Sequence, residues 1–102
     1  MANDKSRWVK ALFEIINEGQ DPFNIRIGGR DRWALECLMA SGRKGCTPID
    51  TPGPRWSGYV HELREMNVQI ETVTEKHGGP FQGTHARYVL RSKVRLVESE
   101  AA

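Results

Sequence analysis

Polar side chains that can form hydrogen bonds recur at helical spacing between positions 54 and 66. Those at the start of this segment or on its outward side are Arg55, Ser57, His61 and Arg64. On a helix, guanidinium, hydroxyl and imidazole groups can reach the base edges or phosphates of a nucleic-acid duplex. The carboxylates of Glu62 and Glu65 share the outward side and oppose phosphates, so a solvated helix face is the alternative interpretation.

A second group of polar side chains surrounds a glycine-rich stretch further along the chain. Its members are Lys76, Gln82, His85 and Arg87. Lys and Arg neutralise phosphates and release counterions, and Gly78, Gly79 and Gly83 let the backbone approach closely. Phe81, in the middle of the stretch, either inserts into a groove, docks on a partner or folds back onto the sheet. We predict that this stretch contacts DNA beside the helix.

Residue patterns typical of catalysis or metal binding are missing from the sequence. The three histidines and two cysteines have no recognised zinc-ligand spacing. The Gly28-Gly29-Arg30 stretch lacks the lysine and the spacing of a phosphate-binding loop, and no serine or cysteine stands in a nucleophile motif. We therefore predict a protein that is not an enzyme and that holds no metal and no cofactor.

The whole-chain composition indicates one small globular domain. The chain has 102 residues, of which 38% are hydrophobic, enough for one modest core. Its 15 basic and 13 acidic residues give a net charge of +2, too balanced to establish a nucleic-acid partner alone. No apolar run is long enough for a membrane span or a signal peptide, so we expect no membrane association and a cytoplasmic location.

The elements that must position these side chains begin with an expected helix from Ser6 to Glu18. Its apolar stripe comprises Trp8, Leu12, Ile15 and Ile16. Such a stripe must pack against the rest of the domain or against a second copy of the chain. A homodimer through this helix is therefore one of two expected arrangements.

The middle of the chain predicts a strand and two helices. Phe23 to Ile27 alternates with the period of a strand, and Asp31 to Ser41 has the pattern of a helix that ends at Gly42. The next stretch, 43–54, is expected to be irregular, and from Gly45 to Pro54 one helical turn at most fits between the prolines. A further helix is expected from Pro54 to Met66, with Asn67 in a left-handed cap conformation.

Two strands with a long connection complete the pattern. Residues 68–75 and 85–91 are expected to pair, and the glycine-rich loop between them is too long for a tight hairpin. The following residues, 92–97, either lengthen the last strand or pack Val94 and Leu96 onto the sheet. We divide the chain into an N-terminal helix and linker (1–22), a main domain (23–97) and a disordered tail (98–102).

This order of elements, together with a set of residues, resembles a family of small bacterial and phage winged-helix proteins. The matching residues are Arg55, Val60, Leu63-Arg64, Ile70-Glu71-Thr72 and Tyr88-Val89-Leu90. The resemblance covers about Asp31 to Leu90. Asn67 departs from it, since the family has glycine there, and the short stretch before Pro54 abbreviates the middle helix of the helix-turn-helix.

The resemblance implies an α+β fold, a winged helix-turn-helix with an additional N-terminal helix and a two- to three-stranded antiparallel sheet. It also implies a DNA-binding protein, either a transcriptional regulator or a phage-type accessory protein, whose partner is duplex DNA. The helix Pro54 to Met66 would enter the major groove, and the loop Lys76 to Thr84 would be the wing. The alternative is a winged-helix protein–protein interaction module that does not bind DNA.

Overall fold

The computed structural model describes residues 8–53, 55–78 and 83–99, and these form two helices and five strands. In chain order the elements are strand β1 (Ala11–Ile16), strand β2 (Phe23–Ile27), helix α1 (Gly29–Ser41), a 3₁₀ turn (Gly42–Lys44), helix α2 (Trp56–Glu65), strand β3 (Ile70–His77), strand β4 (Gly83–Leu90) and strand β5 (Lys93–Ser99). The predicted α+β class is confirmed, and both central helices lie within a few residues of their predicted bounds.

Strand β1 replaces the helix expected from Ser6 to Glu18, so that prediction is wrong over Ala11–Ile16. The side chains of Ala11, Phe13 and Ile15 are fully buried, and the residues between them are only half-buried. Burial that alternates with a period of two is typical of a strand with one face packed on the core. Residues 1–7, which include the expected helix start, lie outside the described residues.

β1 is the central strand of a three-stranded antiparallel sheet in the order β2-β1-β5. Ala11 pairs with Ile27 of β2 and with Ser99 of β5. The stripe that was expected to form a dimer is therefore divided between the two faces of an internal strand, and the N-terminal helix that was to carry the dimer is absent from the described residues. Glu98 and Ser99, expected in the tail, belong to β5, and residues 100–102 lie outside the described residues.

Strands β3 and β4 form a separate antiparallel hairpin, so the structure has two sheets instead of one. The pairs run from Ile70 with Leu90 to His77 with Gly83. β5 does not lengthen the hairpin, because Arg91 and Ser92 turn the chain and direct it to β1. The structure is closer to the second alternative, in which Val94 and Leu96 pack onto the sheet. Val94 packs against the core, although Leu96 stays exposed.

Between the 3₁₀ turn and α2 the chain forms one further helical turn, which is the one turn that the prolines allow. The Thr51 N–H donates to the Thr47 carbonyl at 2.9 Å, and the buried Thr47 hydroxyl accepts from the N–H groups of Ile49 and Asp50. Just before this turn, the backbone of Cys46 exchanges two hydrogen bonds with that of Tyr88 on β4. The turn is thus fastened to the hairpin.

Four aromatic side chains pack around the start of α2. They are Trp33, Trp56, Tyr59 and Tyr88, with ring centroids 5.4 to 6.3 Å apart in the contacting pairs. Trp56 is buried, and its indole N–H donates to the Thr51 carbonyl at 2.6 Å. The first residue of α2 therefore joins the turn before the helix to the hairpin beneath it.

The end of α2 is held by a buried polar group. Asn67 has φ of +66°, which confirms the predicted left-handed cap. Its carbonyl accepts a hydrogen bond from the buried Asn17 amide at 2.8 Å, and the Ser92 hydroxyl donates to the Asn17 side-chain oxygen. The Ser92 oxygen also accepts from the Gln69 N–H at 2.8 Å. Both ends of α2 are thus fixed to the rest of the fold.

Candidate nucleic-acid interface

Helix α2 separates its side chains into a buried and an exposed face. Trp56, Tyr59, Val60 and Leu63 are buried, which is the inward face that helical spacing predicts. The exposed residues at its start and along it include Arg55, Ser57, His61, Glu62, Arg64 and Glu65. All four residues proposed from the sequence on this element are therefore open to a partner.

Arg55 lies at the N-cap position of α2 and folds back over the first turn of the helix. A Cβ added at Gly58 would lie 3.4 Å from Arg55 Nη2, so the guanidinium covers the helix at that point. Within residues 8–53, 55–78 and 83–99 its side chain has no hydrogen-bond or ion-pair partner, and no side chain caps the helix. A guanidinium beside free N–H groups at a helix N-terminus is an arrangement that binds phosphate.

Arg64 connects α2 to the hairpin. Its Nη2 donates to the Ile70 carbonyl at 2.7 Å and to the Thr72 hydroxyl at 2.8 Å. These bonds leave the residue exposed and, because the acceptors are neutral, leave its charge uncompensated. Arg64 therefore fixes the angle between α2 and β3 and also adds positive charge to the surface where they meet.

One face of the β3-β4 hairpin is turned towards α2, and we call it the helix-side face. This face carries Thr72, Thr74 and Lys76 of β3 with Thr84, Ala86 and Tyr88 of β4. Contacts to α2 define its orientation, since Thr72 bonds to Arg64 and the Tyr88 ring stacks on Trp56. Thr74 and Lys76 are exposed beyond the helix. Sequence reasoning missed Thr72 and Thr74, although their alternation with Lys76 is the signal that could have found them.

The other face of the hairpin carries His85 and Arg87, which the sequence grouped with the α2 residues. Strand alternation places them on the side away from α2, together with Glu75 and His77. Arg87 donates to Glu75 at 2.5 and 3.0 Å and to the Lys44 carbonyl at 2.9 Å. The hydrogen bond from Arg87 holds the pKa of Glu75 below its ordinary value.

The proposed site residues thus fall into two sets. The structure places Arg55, Ser57, His61 and Arg64 on the exposed side of α2 and Lys76 on the helix-side face of the hairpin, whereas His85 and Arg87 lie on the other face of the hairpin. Gln82 lies outside the described residues, as does Phe81. Arg87 is also engaged by carboxylates, because Asp50 lies 3.6 Å from it in addition to Glu75.

Residues 24–100 match the profile of a protein family described as "Winged helix domain". The chain belongs to this winged helix family. Searches of curated proteins and of solved structures give no significant match.

In this winged helix, α1 and α2 are the two helices that precede the β3-β4 hairpin. The turn at Thr47 stands where a helix-turn-helix has its middle helix, and β3 and β4 flank the wing. Strands β1, β2 and β5 form a second sheet, and β1 precedes the matched residues.

Of the helices that the structure describes, none has the length and apolar character needed to cross a membrane.

The described residues of the winged helix hold no group of three or more His, Cys, Asp or Glu side chains that could bind a metal. Cys37 and Cys46 are free thiols. Burial raises the pKa of the Cys37 thiol, so it stays protonated near neutral pH and is a poor nucleophile.

An acidic pair borders α2. Asp31, in the first turn of α1, interacts with Glu62 of α2. Partial burial, a hydrogen bond with Glu62 and the charge of Glu62 raise the pKa of Asp31 to about 6. The pair therefore takes up a proton under mildly acidic conditions, where ordinary aspartates stay ionised.

Replacement of Asp31 by asparagine is expected to stabilise the domain at neutral pH. The pKa of Asp31 is raised in the folded state, so its favourable contribution is present below the unfolded value of 3.8 and is lost as pH rises through about 6. Asparagine resembles the protonated form, and we expect a gain of about 1 kcal/mol at neutral pH after discounting for solvent screening. Urea denaturation across this pH range measures it, with the exposed Asp21→Asn as control. An Asp31→Asn variant with unchanged stability and unchanged pH dependence would contradict the assignment.

Proposed function

We propose that this winged helix binds duplex DNA, with α2 in the major groove and the helix-side face of the hairpin on the adjacent backbone. One observation carries the proposal. Arg55 and Arg64 are exposed on α2, Lys76 is exposed on the helix-side face of the hairpin, and among the described residues none of the three pairs with a carboxylate. By contrast, four other arginines of the described residues are each paired with one: Arg32, Arg87, Arg91 and Arg95.

Unpaired cations on one surface favour a polyanionic partner. An arginine that already contacts a carboxylate must lose that contact before it binds phosphate, whereas Arg55, Arg64 and Lys76 need no such exchange. Three phosphate contacts predict that the logarithm of affinity falls with the logarithm of salt concentration with a slope of about −3. The proposed contacts of Arg55 with phosphate at the helix N-terminus would orient α2 in the groove.

Ser57 and His61 are the proposed readers of base edges. They stand four residues apart on the exposed face of α2, and both can donate and accept hydrogen bonds. His61 lies 3.0 Å from Glu65, but both side chains are more than half exposed, so this pair is weak and easily replaced. Base readout supports a further proposal, that the protein is a cytoplasmic transcriptional regulator or a phage-type accessory protein.

Replacement of Arg55 by alanine is expected to weaken binding to a duplex of about two helical turns by roughly fivefold to tenfold at low salt. The salt slope should decrease in magnitude by about 1, because one phosphate contact is lost. Fluorescence anisotropy at several salt concentrations measures both quantities. Arg95→Ala is the matched control, since Arg95 lies on β5 and pairs with Glu14 at 3.3 Å. Equal losses in the two variants would show that only net charge matters and would contradict the proposed surface.

The second candidate function is a protein-interaction module built on the same face. Glu62 and Glu65 favour it, because they add negative charge to the same exposed side of α2. This candidate predicts no duplex binding even at low salt. Binding that decreases steeply with salt would decide for DNA.

A further inference from the structure

Two imidazoles meet across the base of the wing, on the face away from α2. His85 pairs with Glu75 in the hairpin register, and His77 pairs with Gly83, so the two histidines are diagonal neighbours on one face. His77 Nδ1 and His85 Nδ1 lie 3.1 Å apart, with the ring centroids 5.3 Å apart and the ring planes inclined by 25°. The short distance joins two atoms that are both good ligands for transition metals.

The tautomer of His85 follows from its other contact. Its Nε2 lies 3.1 Å from Glu75 Oε1, and a carboxylate can only accept, so the proton of neutral His85 is on Nε2. Arg87 holds Glu75 in place at 2.5 Å and keeps it ionised. Nδ1 of His85 therefore presents its lone pair to His77. A carboxylate behind the far nitrogen is also the arrangement that orients metal-ligating histidines and strengthens them as ligands.

We propose that His77 and His85 bind one divalent transition ion of the imidazole-preferring class, such as Zn²⁺, between their Nδ1 atoms. Two Zn–N bonds of about 2.0–2.1 Å across 3.1 Å enclose an angle of about 98°, between a right angle and the tetrahedral angle. Water completes the coordination, which is why no larger group of protein ligands is required. On binding, the proton of His77 moves from Nδ1 to Nε2 through solvent, so both ligands are neutral and no net proton is released.

The local structure allows His77 to lie over the neighbouring strand. Gly83 lies opposite His77, and a Cβ there would meet His77 Nε2 at 3.3 Å, so glycine allows the imidazole to lie over the neighbouring strand. An open groove of about 570 Å³ borders His77, Gly78 and Gly83. A bound ion would connect β3 to β4 where the wing begins. The site lies on the face opposite the proposed DNA surface and does not rest on the proposed function.

Zn²⁺ titration of the full chain at neutral pH, followed by the ¹⁵N shifts of the imidazole nitrogens, tests the site without any substitution. We expect the Nδ1 signals of His77 and His85 to shift together and to saturate with one ion per chain in the micromolar range. The nitrogens of His61 should stay unchanged over this range, because His61 lies on α2 and not on the hairpin.

Substitutions then assign the ligands. His77→Ala and His85→Ala should each weaken Zn²⁺ binding at least tenfold by calorimetry, His61→Ala should leave it unchanged, and Glu75→Gln should weaken it about tenfold. The amide spectrum of each variant reports whether the hairpin is intact. Nδ1 signals of His77 and His85 that do not move at millimolar Zn²⁺, or that move no more than those of His61, would overturn the proposal.

Discussion

Replacement of Trp56 by alanine is expected to lower the free energy of unfolding by about 3–5 kcal/mol. The buried indole contacts three other aromatic rings, and its N–H donates to the Thr51 carbonyl. Alanine would leave a cavity at the start of α2 and an unsatisfied carbonyl in the preceding turn. For a domain of this size such a loss is a large part of the total stability, so the variant should be partly unfolded at room temperature.

Urea denaturation followed by far-ultraviolet circular dichroism measures this effect, and Trp56→Phe separates its two causes. Phenylalanine retains most of the packing but cannot donate to Thr51, so we expect a smaller loss of about 1–2 kcal/mol. If the free energy of unfolding of the alanine variant fell by less than the loss expected for the phenylalanine variant, the aromatic cluster would not hold α2.

Replacement of Asn17 by alanine is expected to cost about 2–3 kcal/mol, a large effect for a single polar side chain. Asn17 is buried, and its amide connects the Asn67 carbonyl to the Ser92 hydroxyl. The change leaves both of these groups without their partner, and an unpaired buried polar group is more costly than the average hydrogen bond is stabilising.

The matched control for this prediction is Asn24→Ala, on β2. Asn24 is exposed, so its loss should change stability by about 0.5 kcal/mol or less. Chemical denaturation of both variants under the same conditions gives the comparison. Equal effects in the two variants would mean that the Asn17 group does not join β1, α2 and β5.

The sequence predicts α2 and its faces well because a long amphipathic pattern admits one interpretation. Trp56, Val60 and Leu63 recur at helical spacing, and all three are buried as predicted. The left-handed Asn67 and the single turn at Thr47 were also predictable, since both depend on local backbone chemistry. Local rules are sufficient where the structure is determined by neighbours in the chain.

The N-terminal prediction failed because its segment fits two periods. Leu12, Ile15 and Ile16 suit a helix, while Ala11, Phe13 and Ile15 suit a strand, and short apolar segments do not distinguish the two. The decision comes from β2 and β5, which pair with β1 on both sides. β5 lies more than seventy residues later in the chain, so no local pattern reveals it.

The candidate site was predicted in part for a similar reason. Residue types correctly identified the exposed side of α2, but the grouping of His85 and Arg87 with it required the strand register. Given that Tyr88 packs on Trp56, alternation places Arg87 on the opposite face. The acidic partners of Arg87, which remove it from the set of unpaired cations, follow only from the three-dimensional arrangement.

The central claim is that the exposed side of α2 and the helix-side face of the hairpin together contact duplex DNA. Amide chemical-shift mapping of the ¹⁵N-labelled chain during titration with a short duplex tests it most directly. We predict the largest shifts at Ser57, His61, Arg64, Thr74 and Lys76, with small shifts along β5. No shifts at low salt, or shifts concentrated on the β2-β1-β5 sheet or around Glu75 and Arg87, would contradict the account.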